Sequence, residues 1–337
     1  MAFFSQVSRN GVQLLLRSGL TRWLACAVLA GSAALAAAQG YPAKTLRIVV
    51  PYPPGGPVDM TARLMGQKFT ESSGQSVIVD NRSGASTIIG TELVVKSPPD
   101  GYTVLLNTSS IAINPSLYDK LPYDTLRDLI AVTEVTTQPF ILVANPSTQF
   151  RTVKELIAAA KSKPGSIRCA SAGVGGPNHL ACELLNKMAN IKITHVSYKG
   201  AAPALVDTLS GQVEIYMPNP VTTIKYIQAG KLQALAVTGT KRIGILPDLP
   251  TVAEAGLPGY DANVWMGMFV SAGTAPDMVR RIQQESARVL KLPEVQKALT
   301  SEGGEIIAST PEQFAAYMKA EIQKWREIVI FSGAKAE

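Results

Sequence analysis

Apolar runs of strand length alternate with segments whose apolar residues recur every three to four positions, and the alternation continues from residue 46 to residue 330. Leu46–Val50 reads as a buried strand, and the stretch from Pro57 places Val58, Ala62, Met65 and Phe69 on one face of a helix. A predicted strand at 76–80, a helix at 86–96, a turn at Pro98-Pro99-Asp100-Gly101 and a strand at 102–107 complete a βαβαβ unit. After a crossover near 140–144 the plan repeats. The pattern predicts helices at 153–162, 177–189, 203–209 and 222–229, interleaved with strands at 167–171, 193–198, 213–217 and 232–238. A strand at 264–271 returns to the first unit, where helices at 276–290, 293–301 and 311–330 are expected to pack. The reading is an α/β protein with largely parallel sheets, in two βαβ lobes joined by two hinge crossings. Lobe I is expected at 39–142 plus 264–337, and lobe II at 143–263.

Within this frame the tripeptide Gly-Gly-Pro occurs twice, at Gly55-Gly56-Pro57 and Gly175-Gly176-Pro177, each time between a predicted strand and a predicted helix. Proline fits the first helical turn, and glycine lets backbone amides come close to a ligand. Each GGP therefore marks a helix N-terminus, which carries about half a positive charge and favours an anion by roughly 0.3–1 kcal/mol. Ligands of open parallel sheets bind at the carboxyl ends of the strands, where both loops fall. The candidate binding residues follow: Tyr52, Pro53, Gly55 and Gly56 in the first loop, and Ala172, Gly173 and Gly175 in the second, where Ser171 adds a hydroxyl. Thr108, Ser109 and Ser110 after the third strand, Ser86 and Thr87 before the second helix, and Lys199, Gly200, Ala201 and Asn219 occupy equivalent ends. Asp59 reads as a helix cap paired with Arg63 one turn on. His179 reads either as a ligand donor on the first turn or as an anchor of its loop.

Residues 1–38 change the boundaries of the folded part. Arg9, Arg17 and Arg22 precede an apolar run ending in Ala36-Ala37-Ala38, the pattern of an export signal cleaved after Ala38. Setting those three arginines aside leaves 29 basic and 25 acidic residues, a net charge of +4 over 299 residues. Basic residues form no run of four or more, and aromatics are 6% of the chain, so no nucleic-acid surface is indicated. Cys169 and Cys182 are candidates for a disulfide in an oxidising compartment. Neither they nor His179 and His195 have metal-ligand spacing, and no metal or cofactor is expected. Enzyme motifs are missing as well. Gly173-Val174-Gly175 is followed by Asn178 where a dinucleotide fingerprint needs its last glycine, and there is no P-loop or nucleophile elbow.

Six segments together resemble the Bug family, the periplasmic solute receptors of tripartite tricarboxylate transporters. They are YPAKTLRIVVPYPPGGPVDMTAR (41–63), PPDGYTVLL (98–106), SAGVGGPNHLACELL (171–185), HVSYKGAAPAL (195–205), AGKLQALAVT (229–238) and LPDLPTVAEAGLPGY (246–260). The resemblance implies a type II periplasmic-binding-protein fold that closes like a Venus flytrap on a small carboxylate. It also implies a periplasmic receptor that hands its ligand to integral membrane transporter subunits or to a sensor kinase; a non-enzymatic protein is expected from the missing motifs, and a monomer is expected. The ligand loops it implies are 52–56, 83–87, 108–110, 172–176 with His179, and 198–201.

Two departures from the family pattern bear on selectivity. Where the family reads N-R-P-G-A-G-G, this chain has Asn81-Arg82-Ser83-Gly84-Ala85-Ser86-Thr87, so the pocket floor is expected to differ in shape. Where the family commonly has an aspartate after the strand at 213–217, this chain has Pro218. An acid there would pair with a ligand ammonium, and its replacement predicts an organic acid without an amino group, aliphatic or aromatic.

Overall fold

The computed structural model describes residues 41–301 and 303–336. The export signal and its cleavage after Ala38 lie outside the described residues, and everything below concerns the compact unit Lys44–Glu337. The chain begins with β1 (Leu46–Val50), α1 (Pro57–Ser73), β2 (Val77–Asn81), α2 (Ile88–Val95), β3 (Thr103–Thr108), α3 (Ser110–Leu117), the single turn α4 (Thr125–Asp128) and β4 (Leu129–Pro139). Next come β5 (Ile141–Ala144), α5 (Val153–Ser162), β6 (Arg168–Ser171), α6 (Pro177–Ala189), β7 (Thr194–Ser197), α7 (Ala201–Ser210), β8 (Ile215–Tyr216), α8 (Pro220–Gln228) and β9 (Gln233–Val237). Last are β10 (Asn263–Ser271), α9 (Pro276–Leu290), α10 (Pro293–Thr300), β11 (Glu305–Ile306) and α11 (Pro311–Ser332).

These strands form two sheets, ordered β11-β4-β10-β3-β1-β2 and β7-β6-β8-β5-β9. The expectation of largely parallel sheets is corrected to mixed ones. β1 is parallel to β2 and β3, and β6 to β7 and β8, but β10 runs antiparallel to β3 and β4, and β5 antiparallel to β8 and β9. The antiparallel strands are those flanking the passages between sheets, where the chain enters a sheet directly and not through a crossover helix. One passage is the single residue Phe140 between β4 and β5, so most of the expected 140–144 crossover is strand. The other spans 238–262, and Thr238 ties the two together: its Oγ1 accepts from the Phe140 N–H (2.8 Å) and donates to the Ala262 carbonyl (2.6 Å).

Other differences have local causes. The helix expected from residue 86 starts at Ile88, because Ala85, Ser86 and Thr87 all adopt positive φ, at 44°, 47° and 80°. The hydropathy pattern gave no warning of β4, a Thr-rich strand in the interior of the sheet, or of α3, which is apolar on several sides and carries Pro115. Helix α11 ties the two sheets' layers together, packing on α3 and β4 of one and on α6 of the other. Its Trp325 is fully buried, and both Trp325 and Trp265 donate their indole N–H groups to Glu321 Oε2, at 2.9 and 3.0 Å.

Candidate functional site

The first GGP loop is held from within. Gly55 takes φ of 85°, a region open to glycine at little cost, and its N–H donates to Asp59 Oδ2 at 2.8 Å. The same carboxylate accepts from Arg63 Nε and Asn81 Nδ2, each at 3.0 Å. Asn81 also reaches the Tyr52 carbonyl, joining the loop to β2 (3.1 Å). The Arg63 hydrogen bond, seconded by Gly55 and Asn81, outweighs burial and holds the Asp59 carboxyl down at about 2. The expected pairing of Asp59 with Arg63 is present, but the expected cap is corrected: Asp59 makes no capping bond to the helix end at Gly56 and instead takes the Gly55 loop amide, bracing the loop.

The second loop is anchored by an imidazole. Gly175 donates its N–H to His179 Nδ1 (2.9 Å), which puts the His179 proton on Nε2, facing Glu183 Oε1 at 3.8 Å. His179 stacks on His195 with ring centroids 3.6 Å apart, and His195 Nε2 meets Ser171 Oγ at 2.6 Å. Burial, with the neighbouring His195 as a second cause, pushes His179 down to about 3, and burial lowers His195 to about 4. Both rings are neutral at physiological pH. Cys169 on β6 and Cys182 on α6 are joined with Cα atoms 6.8 Å apart, stapling the segment that carries the loop. Gly175 (φ 72°) also has no room for a side chain, since a Cβ there would lie 2.5 Å from Leu117 Cδ2 of α3.

Between the loops lies a cavity of about 350 Å³. Six of the expected residues line it: Tyr52, Thr108, Ser110, Ala172, Ala201 and Asn219. On its floor the Tyr52 hydroxyl meets Thr108 Oγ1 at 2.6 Å and reaches Ser110 Oγ at 3.5 Å. Burial raises the Tyr52 phenol, so it stays protonated. Pro53, Gly55, Gly56, Ser109, Gly173, Gly175, His179, Lys199 and Gly200 do not line the cavity.

Neither do Ser86 and Thr87, which instead build a strained turn beside it. Asn114 donates to the Ser86 carbonyl (2.8 Å), Asn107 to Thr87 Oγ1 (3.3 Å), and Thr91 Oγ1 to the Thr87 carbonyl (2.8 Å). Those bonds hold two non-glycine residues in a left-handed conformation that costs of order 1–3 kcal/mol each.

Sequence reasoning missed several lining residues. Pro177 and Asn178 of α6 and Val221 of α8 are first-turn residues that the Pro rule could have found. Gln138, Phe140, Val264 and Met266 carry no local signal, because sheet topology alone brings them there.

The arrangement has one governing property. The N-terminal turns of α1, α3, α6, α7 and α8 all contribute residues to this single cavity, and none of its lining side chains is charged. First-turn amides have no acceptor within their own helix, so five partial positive ends converge on a neutral, partly apolar space. Such a site suits a small anion and offers no acid to pair with a cation. Among the described residues, no group of three or more His, Cys, Asp and Glu is placed to hold a metal.

Comparison with known proteins agrees with this reading of the fold. A family model described as the tripartite tricarboxylate transporter family receptor, TctC, matches residues 61–333. The chain belongs to this receptor family. Protein BugT of Bordetella pertussis is 36% identical to the receptor over 308 residues, covering 91% of this chain and 94% of BugT. An R. palustris protein solved with adipate is 33% identical, with a TM-score of 0.74 over 88% of this chain and 99% of that one. MatC of Rhodopseudomonas palustris, solved with bound malate, is 29% identical, with a TM-score of 0.70 over 86% of this chain and all of that one (100%). The two-lobe fold and the family are those of solute-binding receptors, not enzymes.

Proposed function

We propose that this receptor works in the periplasm, where it binds an organic carboxylate without an amino group in the cavity between its two sheets and delivers it to membrane subunits of a tripartite tricarboxylate transporter. The observation that carries the reading is the convergence of five helix N-termini on a cavity lined by no charged side chain. At roughly 0.3–1 kcal/mol per helix end, the five together favour an anion by about 1.5–5 kcal/mol without any Lys or Arg. Pro218 lines the cavity, and none of the lining residues is an acid that could pair with an ammonium group, which favours organic acids over amino acids. The adipate and malate of the related structures are carboxylates of this kind. Phe140 and the segment 238–262 are the two passages about which lobes at 39–142 plus 264–337 and 143–263 would close on the ligand.

A thermal-shift screen of mono-, di- and tricarboxylates, aromatic acids and amino acids tests the reading. A ligand at a hundred times its Kd stabilises by about 2.7 kcal/mol, so true ligands raise the melting temperature clearly. The expected hits are acids lacking an amine. Stabilisation by aspartate or glutamate with no response to any other acid would overturn the assignment.

A further inference from the structure

The sheet face that floors the cleft continues sideways into a second cavity of about 350 Å³. The two cavities share Pro57, Gln138, Val264 and Met266. Strand register explains the continuity: Met266 on β10 is paired with Thr108 on β3 and with Thr136 on β4, while Val264 is paired with Gln138. Paired residues on adjacent strands face the same side of a sheet, so Thr108, Met266 and Thr136 form one row from the polar floor to the side cavity. Two strand spacings separate the ends of that row, about 10 Å.

Where the side cavity meets the row, Met266 and Val264 give it an apolar strip flanked by Thr136 and Gln138. Further along the same face Met268 is fully buried, with Ser286 of α9 against its sulfur at 3.4 Å, but Val264 and Met266 remain partly exposed. One wall is the face of α1 that carries Pro57, Met60, Thr61 and Leu64, spaced so that they align on one side of the helix. Ala298 and Leu299 of α10 form the other, and no lining side chain is charged. Met60 is 64% exposed at the rim. With Thr61, Thr136, Thr137 and Gln138 as its polar members, this is mostly apolar surface adjoining the proposed anion site, and covering its apolar part is favourable in proportion to the area.

Resting on the carboxylate reading above, we propose that the ligand has an extended alkyl or aryl body, and that its uncharged far end lies over Met266 and Val264 in this side cavity. The helix ends hold the carboxylate, and the side cavity selects for length and for an apolar tail.

Calorimetric titration of the purified receptor with butyrate, hexanoate and octanoate tests this. Affinity is expected to rise roughly fourfold per added methylene. Ala298→Trp, at an exposed position, fills the side cavity, so it abolishes the gain from butyrate to octanoate and leaves butyrate binding unchanged. Met60→Ser, also at an exposed position, reduces the same gain by removing part of the wall. Octanoate binding no tighter than butyrate, or a gain undiminished in both variants, would overturn the inference while leaving the carboxylate site standing. If no acid of the series binds while a dicarboxylate or an aromatic acid does, the inference falls and the carboxylate reading stands.

Discussion

Replacing Asp59 by Asn tests whether the first GGP loop is held by a charge. In the folded protein the carboxyl titrates at about 2 against an ordinary 3.8, and its acceptors bind Gly55, Asn81 and Arg63 at 2.8, 3.0 and 3.0 Å. A shift near two units corresponds to about 2.5 kcal/mol at 1.36 kcal/mol per unit. Arg63 is 54% exposed, so solvent screens part of this, and the expected loss is about 1.5 kcal/mol. The folded pKa is depressed, so the stabilisation is complete above the unfolded value of 3.8 and is lost as pH falls through about 2. Urea unfolding at pH 7 should therefore show Asp59→Asn less stable by roughly that amount, with the difference shrinking as pH drops from 4 to 2. An unchanged midpoint at pH 7, or a deficit that does not shrink in acid, would refute the claim that charge holds the loop.

Other perturbations reach the second loop and the buried acids. Cys169→Ala with Cys182→Ala should cost about 3 kcal/mol, the loop-closure value for a segment of this length, seen as a lower melting temperature that reductant no longer changes. His179 and His195 have folded pKa values of about 3 and 4, below the unfolded 6.5, so their contribution is complete above 6.5 and lost as pH falls toward 4. Imidazole NMR should find both rings neutral at pH 5.5, and a protonated ring there would contradict the packing described. Burial, with the charges of Glu321, Asp261 and Glu305, raises Glu134 to about 8, so its contribution is greatest below 4.5 and lost as pH rises through 8. Glu134→Gln should consequently gain on the unmodified receptor as pH rises from 5 to 8.5 in urea unfolding, and a growing deficit would contradict this.

Helix starts were the most legible feature of the chain. Pro57, Pro177, Pro276, Pro293 and Pro311 each begin a helix where the pattern placed one, because proline fits the first turn and is disfavoured beyond it, Pro115 within α3 being the exception. Where the expected start missed, as at Ala201 and Pro220, the helix begins two residues earlier. Ser86 and Thr87 read as helix-start residues, but hydrogen bonds from Asn107 and Asn114, remote in sequence, hold them left-handed. For the site, local signals found the loop residues Tyr52, Thr108, Ser110, Ala172, Ala201 and Asn219 and could not find Gln138, Val264 or Met266. Those three face the ligand cavity because β10 inserts between β3 and β4, a pairing across more than a hundred residues that no local period encodes.

What recognises a carboxylate here, on the proposal above, is the set of backbone helix ends and not a charged side chain. Calorimetric comparison of hexanoate with hexanamide tests it most directly, since the two differ little in shape and fully in charge. With about 1.5–5 kcal/mol supplied by five helix ends, the acid should bind roughly ten- to several-thousand-fold more tightly than the amide. Equal affinities would contradict recognition by the helix ends.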